Sequence, residues 1–181
     1  MSFGFPTWKS RISDAIKEAS SGSKNILLFA AASNNGRHFE PSYPARDGNV
    51  ICIYATDGYG NRSNVNPQSF KNRNRFATLG RAVKLLDAGT KAGVTRGSGT
   101  SYATPIAAAI AANIIELAIR TKMDHVYVER LKNRQDMEKV FSLMVSKDDT
   151  NELDCLNLKT LFHKHMRDTS IHDVIMKTLD P

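Results

Sequence analysis

The sequence predicts an α/β architecture, in which a mainly parallel sheet is flanked by helices and followed by a helical C-terminal tail. Two apolar runs of strand length, at 25–32 and 50–55, show no polar alternation, which is typical of strands buried on both faces of a parallel sheet. The segment 106–119 is apolar nearly all round and indicates a helix in the interior of a domain.

Spacing and turn residues delimit the elements in the first half of the chain. Apolar residues at i, i+3, i+4 and i+7 predict a helix over 11–20, ended by a Ser-Ser-Gly sequence. The strand at 25–32 ends in the turn Asn34-Asn35-Gly36, and the strand at 50–55 stops at Asp57-Gly58. The stretch 57–75, rich in Gly, Asn, Arg and Ser, is predicted to be loop.

Two shorter strands are predicted at 75–78 and 83–86, followed by a small, polar stretch that leads into the buried helix. Beyond Arg120 the composition becomes charged, with apolar residues at helical spacing. We therefore expect two parts, an α/β part over 1–121 and a helical C-terminal extension over 122–181.

Composition narrows the function classes. Hydrophobic residues make up 41% of the 181 residues and charged residues 24%, which excludes an intrinsically disordered chain. The net charge of +7 raises nucleic acid as a partner. The basic stretch 62–96 contains only two aromatics, Phe70 and Phe76, and no recognition motif, so a solvated basic face is favoured. No apolar run reaches the roughly 18 residues of a membrane span, so we expect neither nucleic acid nor membrane as partner.

Cysteine and histidine usage points away from disulfides, metals and cofactors. Cys52 and Cys155 form no C-x-x-C pattern and are expected to be buried thiols. His163 and His165 could touch a metal, but no third ligand has supporting spacing, so no metal or other cofactor is expected. The few cysteines and an N-terminus without a signal-type apolar core lean towards an intracellular location.

One motif has the properties of a nucleophile site. In Ser98-Gly99-Thr100-Ser101-Tyr102-Ala103-Thr104-Pro105 a glycine precedes a serine at the start of the buried helix. Glycine permits close backbone approach, and a helix N-terminus offers unpaired N–H donors and a positive dipole end. An ordinary Ser/Thr helix cap is the alternative interpretation of this motif taken alone.

A second motif, Ala30-Ala31-Ala32-Ser33-Asn34-Asn35-Gly36, ends a buried strand with an asparagine 67 residues before Ser101. Together the two motifs resemble those of the subtilisin-like serine proteases, the subtilases. The resemblance implies a subtilisin-like domain and a serine endopeptidase that cleaves polypeptide through an acyl-enzyme. It implies Ser101 as nucleophile and the side chain of Asn34 as oxyanion donor, together with the backbone N–H of Ser101.

The resemblance extends over residues 1 to about 120. Met1-Ser2-Phe3-Gly4 resembles the family's substrate-pairing strand end, and Tyr43-Pro44-Ala45 resembles the segment before its next strand. It implies that Ala31 and Ser33 line one side of the pocket for the substrate side chain, opposite the strand end that borders it. The residues implied to bind substrate are Ser2, Phe3, Gly4, Ala31, Ser33, Gly99 and Thr100. The family's calcium sites have no counterpart in this sequence, and the last 60 residues carry no motif of the family.

The family's catalytic Asp and His motifs, Asp-Ser/Thr-Gly and His-Gly-Thr, do not occur in the 181 residues, and His38 is the sole histidine before Ser101. We therefore expect part of a subtilisin-like domain that is inactive alone, with the missing N-terminal part of a larger chain as a partner. A non-catalytic binding module or pseudoenzyme is the alternative.

A remoter alternative is an α/β-hydrolase-type esterase. Gly99, Ser101 and Ala103 fit a loose Gly-x-Ser-x-Ala nucleophile elbow, with Asp148 or Asp154 and then His163 downstream. That turn should follow directly on a buried apolar strand, whereas residues 91–98 are polar and interrupted by glycine.

Overall fold

The computed structural model describes residues 1–21, 25–87, 89, 93–145, 152–164 and 168–180, with side chains except at 162–164 and 168–170. The helices are α1 (Ser10–Ser20), α2 (Thr100–Arg120), α3 (His125–Leu131), α4 (Arg134–Ser142), α5 (Leu158–Lys164) and α6 (Asp168–Leu179). The strands are β1 (Leu28–Ala31), β2 (Val50–Thr56), β3 (Phe76–Leu79), β4 (Val83–Leu86), β5 (Val94–Gly97) and β6 (Asp154–Cys155).

A parallel sheet forms the centre of the molecule, which confirms the predicted α/β class. Its strand order is β1-β2-β3-β6, with Leu28 opposite Val50 and Tyr54 opposite Ala77. Strands β4 and β5 form a separate antiparallel ribbon. The prediction of β4 is confirmed, whereas β5 was missed because its residues, Val-Thr-Arg-Gly, are mostly polar.

The two faces of β2 are covered by different helices, as its continuous apolar run predicted. Ile51 and Ile53 belong to the core cluster that contains the inner face of α2. Cys52 and Tyr54, which point the opposite way, belong to the cluster that contains Ile16 of α1. The sheet is therefore flanked by helices on both faces.

Helix α2 begins earlier than predicted, at Thr100, so Pro105 lies in its second turn rather than its first. By length and composition alone this 21-residue helix could cross a membrane, contrary to the expectation that no apolar run is long enough. Its inner residues, such as Ala107 and Ile114, pack against the sheet, as in the core helix of a folded domain. Its outer face is uncovered, with Ile119 53% exposed.

The segment beyond residue 121 is mostly helical, as predicted, and packs onto the same core. Phe141 of α4 contacts the rings of Phe29 and Phe76, and Ile175 of α6 is fully buried in that cluster. Strand β6 extends the sheet by pairing with β3, Cys155 lying opposite Ala77. A two-residue strand has no periodicity, so the sequence did not indicate it.

Several basic side chains of the stretch 62–96 form hydrogen bonds or ion pairs within the protein. For these residues the prediction of a solvated basic face is wrong. Arg73 donates to the backbone carbonyls of Arg46, Asp47 and Val50. Arg62, whose side chain is only 8% exposed, pairs with Glu152 at 2.8 Å. These hydrogen bonds and this ion pair attach the long loop 57–75 to the segment 46–50 and to Glu152.

Candidate active site

Ser101 lies in the first turn of α2, and the chain enters that turn through a glycine. The N–H of Gly99 donates to the Gly80 carbonyl at 2.7 Å, which fixes the approach to the helix. The N–H groups of a first helical turn have no intrahelical acceptor, so that of Ser101 is available as a donor. The positive end of the helix dipole also lies there and favours negative charge beside Ser101.

Asn34 follows β1 and contacts the start of α2. Its Oδ1 accepts hydrogen bonds from the backbone N–H of Thr100 at 2.9 Å and from the Thr100 hydroxyl at 3.1 Å. Because a backbone N–H can only donate, the atom facing it must be the amide oxygen. The Nδ2 group of Asn34 is therefore directed elsewhere, and no described residue accepts a hydrogen bond from it.

Gly99 lets the asparagine come this close. A Cβ at this position would lie 2.8 Å from Asn34 Nδ2 and 3.2 Å from its Oδ1, and the backbone φ of 149° disfavours any residue with a side chain. Glycine at 99 therefore permits the contact between the end of β1 and the start of α2.

A cleft of about 240 Å³ brings eight of the nine predicted site residues together. They are Ser2, Phe3, Gly4, Ala31, Ser33, Asn34, Thr100 and Ser101. The ninth, Gly99, borders the cleft through its contact with Asn34. Two further residues, Asn35 and Ser42, also line it. Asn35 adjoins the predicted asparagine, but no sequence signal indicated Ser42.

The hydroxyl of Ser101 donates to the backbone carbonyl of Ser2 at 3.3 Å. Within the described part of the chain, no carboxylate or imidazole forms a hydrogen bond with it. The side chains of His163 and His165 lie outside the described residues. The described residues also contain no group of three or more His, Cys, Asp or Glu that could hold a metal ion.

The described residues before Ser101 do not form the nucleophile elbow that the esterase alternative requires. The strand before Ser101 is β5, which pairs only with β4 in the separate antiparallel ribbon. An elbow serine instead follows a strand of the central sheet. Of the expected partners in that alternative, Asp148 and the side chain of His163 lie outside the described residues, and Asp154 lies in β6 beside Arg75.

A larger cavity, of about 560 Å³, lies at the carboxyl ends of β2 and β3 and includes none of the predicted site residues. Its walls include Thr56, Leu79, Ile106 and Cys155. Of these two cavities, the smaller cleft is the candidate active site because it contains Ser101 and Asn34, the serine and the asparagine of the two sequence motifs, at the N-terminus of α2.

Comparison with known proteins identifies the family and the fold of this chain. The profile of the subtilase family matches residues 1–135. M-protease from Shouchella clausii (strain KSM-K16) is 32% identical over 119 residues, which is 62% of this chain and 28% of that protein. This chain thus spans less than a third of that relative.

Solved structures share the fold at low sequence identity. A mutant of the protease domain of PatA gives a TM-score of 0.71 at 20% identity, covering 98% of this chain and 58% of that one. The prenylagaramide maturation protease PagA gives 0.67 at 21% identity, with 87% and 56% covered. The PatG macrocyclase in complex with peptide gives 0.68 at 16% identity, with 98% and 50% covered. Since the family profile covers most of its length, the chain belongs to the subtilase family.

Proposed function

We propose that Ser101 is the nucleophile of a serine endopeptidase and that Asn34 is a donor of its oxyanion hole. The observation that carries the proposal is the orientation of the Asn34 amide. Its oxygen accepts from the N–H of Thr100 at 2.9 Å, which leaves Nδ2 without an acceptor among the described residues, in a side chain that lines the same cleft as Ser101. A carbonyl attacked by Ser101 would receive hydrogen bonds from this group and from the N–H of Ser101.

The reaction that we propose for Ser101 is hydrolysis of a peptide bond through an acyl-enzyme. The Ser101 oxygen attacks the carbonyl carbon of a peptide bond while its proton passes to a general base, and the base then protonates the leaving amine. Water hydrolyses the acyl-enzyme by the same route. A single oxyanion donor contributes about 2.7–4 kcal/mol to stabilisation of the transition state, a value measured on a member of this family.

We propose that the general base comes from a further polypeptide segment, on which activity depends. The described residues that contact the Ser101 hydroxyl offer only the Ser2 carbonyl, which cannot take a proton at neutral pH. An open surface beside the site supports the presence of such a segment. β1 is the edge strand of the sheet and pairs on its outer side with no described strand, although its Ala31 N–H donates to the Met1 carbonyl at 3.0 Å. Apolar residues on the outer face of α2, such as Ile119, are also exposed.

Labelling with a fluorophosphonate probe tests the assignment. We expect no labelling of the 181-residue chain above background in buffer, because no base activates the hydroxyl. Free imidazole, supplied at high concentration as a substitute base, should produce labelling that Ser101→Ala abolishes. Labelling that persists in Ser101→Ala would remove the assignment. A chain that remains unlabelled in imidazole and at pH 9 would instead favour a non-catalytic module.

A further inference from the structure

Thr78 is a buried polar residue on the face of the sheet that packs against α2. It lies in β3 two residues after Phe76, whose side chain belongs to the core cluster that contains the inner face of α2. Side chains two residues apart in a strand point to the same face, so Thr78 also faces α2. The residue is only 2% exposed, and its hydroxyl donates to the carbonyl of Ala103 at 2.8 Å. Because a buried hydroxyl requires a partner, β3 and this carbonyl are held close together.

The hydrogen bond from Thr78 is one of two attachments between the end of β3 and the start of α2. The other is the N–H of Gly99, which donates to the carbonyl of Gly80 at 2.7 Å. Gly99 lies two residues before Ser101, and Ala103 lies two residues after it. The five-residue segment that contains Ser101 is therefore attached to the same end of the sheet on both sides of the serine. Two attachments restrict rotation of the segment as well as its displacement.

The carbonyl of Ala103 does not depend on Thr78 for a helical hydrogen bond. In an α-helix it accepts from the N–H four residues later, and residue 107 lies within α2. A carbonyl oxygen has two lone pairs, so the Thr78 hydroxyl supplies a second donor to an acceptor that already has one. The bond from Thr78 therefore determines where the first turn lies on the sheet, and formation of the helix does not require it.

We propose that Thr78 is a positioning residue that orients the first turn of α2, so that the Ser101 hydroxyl is aligned with the carbonyl it attacks. This inference rests on the proposed function, which assigns the nucleophile to Ser101. Thr78 acts through Ala103 and is not among the residues that line the cleft. Loss of its hydroxyl leaves the turn attached through Gly99 and Thr100, before Ser101, but without this polar attachment after it. The Ser101 oxygen then loses its alignment with the attacked carbon.

Two pairs of proteins that differ at one hydroxyl test the role of Thr78. The first pair is the unmodified chain and Thr78→Val, and the second is Thr78→Ser and Thr78→Ala. In each pair we expect imidazole-dependent probe labelling of Ser101 to be about tenfold slower without the hydroxyl, a part of the roughly 10²-fold that a misplacement of about 1 Å can cost. Thr78→Ser keeps the hydroxyl and should label at nearly the rate of the unmodified chain. The second pair decides the question if Thr78→Val does not fold, because both of its members lack the same methyl group.

Thr121→Val is the matched control for a general loss of stability. Thr121 follows the last residue of α2, and its hydroxyl donates to the Leu117 carbonyl at 2.9 Å. The variant therefore loses a similar hydrogen bond without releasing the first turn of the helix. Its urea midpoint should fall, whereas its labelling rate should not change. Equal labelling rates within both pairs, or the same loss of labelling in Thr121→Val, would overturn the proposal.

Nuclear magnetic resonance separates this inference from the proposed function. If the unmodified chain is not labelled in imidazole, the assignment of Ser101 as nucleophile fails, but the effect of Thr78 on the turn is still measurable. Loss of the hydroxyl removes a donor from the Ala103 carbonyl, so the carbonyl carbon signal of Ala103 and the amide signals of residues 100–103 should shift within each pair. Shifts confined to this turn would support the positioning role. Unchanged signals in both pairs would overturn it, whatever the labelling shows.

Discussion

Ser2 and Ser101 exchange two hydrogen bonds across 99 residues of sequence. Ser2 Oγ donates to the Ser101 carbonyl at 3.1 Å, and Ser101 Oγ donates to the Ser2 carbonyl at 3.3 Å. In a regular helix the Ser101 carbonyl would accept from the N–H four residues later, but that residue is Pro105, which has none. The Ser2 hydroxyl replaces the missing donor and joins the N-terminal segment to the first turn of α2.

A double-mutant cycle tests this replacement. Ser2→Ala leaves the Ser101 carbonyl without a protein donor and should lower the free energy of unfolding by about 0.5–1 kcal/mol, towards the lower end because the bond is exposed. Pro105→Ala restores a backbone N–H to the same carbonyl, so Ser2→Ala should cost almost nothing in that background. Urea denaturation measures all four proteins. An equal loss in both backgrounds would contradict the replacement.

The role of Asn34 can be tested with a variant that keeps its structural contact. Asn34→Asp retains an oxygen to accept from Thr100 but loses the Nδ2 donor and adds a negative charge beside the developing oxyanion. We expect imidazole-dependent probe labelling of Ser101 to fall by about 10²-fold to 10³-fold. Asn35→Asp places the same charge in the same cleft without contacting Thr100, and should reduce labelling only a few-fold. Similar losses in the two variants would mean that charge alone is responsible.

The parts of the site that lie in continuous motifs could be predicted from sequence, and those made by long-range pairing could not. Ser101 and Asn34 each stand in a continuous local motif that combines glycine or alanine with several polar residues. The Ser2–Ser101 exchange and the contribution of Ser42 depend on how distant segments meet. The start of α2 at Thr100 could not be predicted because proline is typical of the first helical position, whereas Pro105 lies in the second turn of this helix. Strand β6 is defined by its backbone pairing with β3 and by nothing in its side chains.

Gly80 is required by close packing beneath the site. A Cβ at Gly80 would lie 2.5 Å from Ala55 Cβ and 2.9 Å from the Gly99 carbonyl. We expect Gly80→Ala to destabilise the protein by about 1–3 kcal/mol and to displace the turn before Ser101, which should also reduce probe labelling. Gly58→Ala is the matched control, since no atom lies within 4 Å of its added Cβ, and should change stability by less than about 0.5 kcal/mol. Thermal and urea unfolding give both values.

The two cysteines should differ in reactivity. Burial raises the pKa of the Cys52 thiol to about 12, so almost no thiolate is present at neutral pH. Cys155 is only partly buried, contrary to the sequence-based expectation. Iodoacetamide at pH 8 should therefore alkylate the native protein at Cys155, with Cys52 reacting only after denaturation, as peptide mass spectrometry would resolve. Alkylation of Cys52 at a comparable rate in the native protein would contradict its burial.

Arg130 connects the C-terminal helix to the rest of the domain. Its guanidinium donates to Asp136 at 3.0 Å and also contacts the carboxylate of Asp180, which follows α6. Partial burial opposes ionisation of Asp136, but hydrogen bonds from Arg130 and Lys139 outweigh it and lower the pKa of that carboxyl. Hydrogen bonds from Tyr127 and then Arg130 lower the pKa of Asp180.

The lowered pKa values of Asp136 and Asp180 determine how the stability of the protein changes with pH. A carboxyl whose pKa is lower in the folded state stabilises the protein above its unfolded pKa, about 3.9, and this contribution is lost as pH falls through the folded value. Arg130→Met should lower the urea midpoint by a constant amount from pH 7 to about pH 5, and the difference from the unmodified chain should shrink below about pH 4. Arg120→Met, which removes an exposed arginine 4.0 Å from Glu116, should have little effect at any pH. A difference for Arg130→Met that persists undiminished at pH 3 would show that Arg130 acts through contacts that do not titrate, such as its hydrogen bond to the Leu179 carbonyl, and not through the two carboxylates.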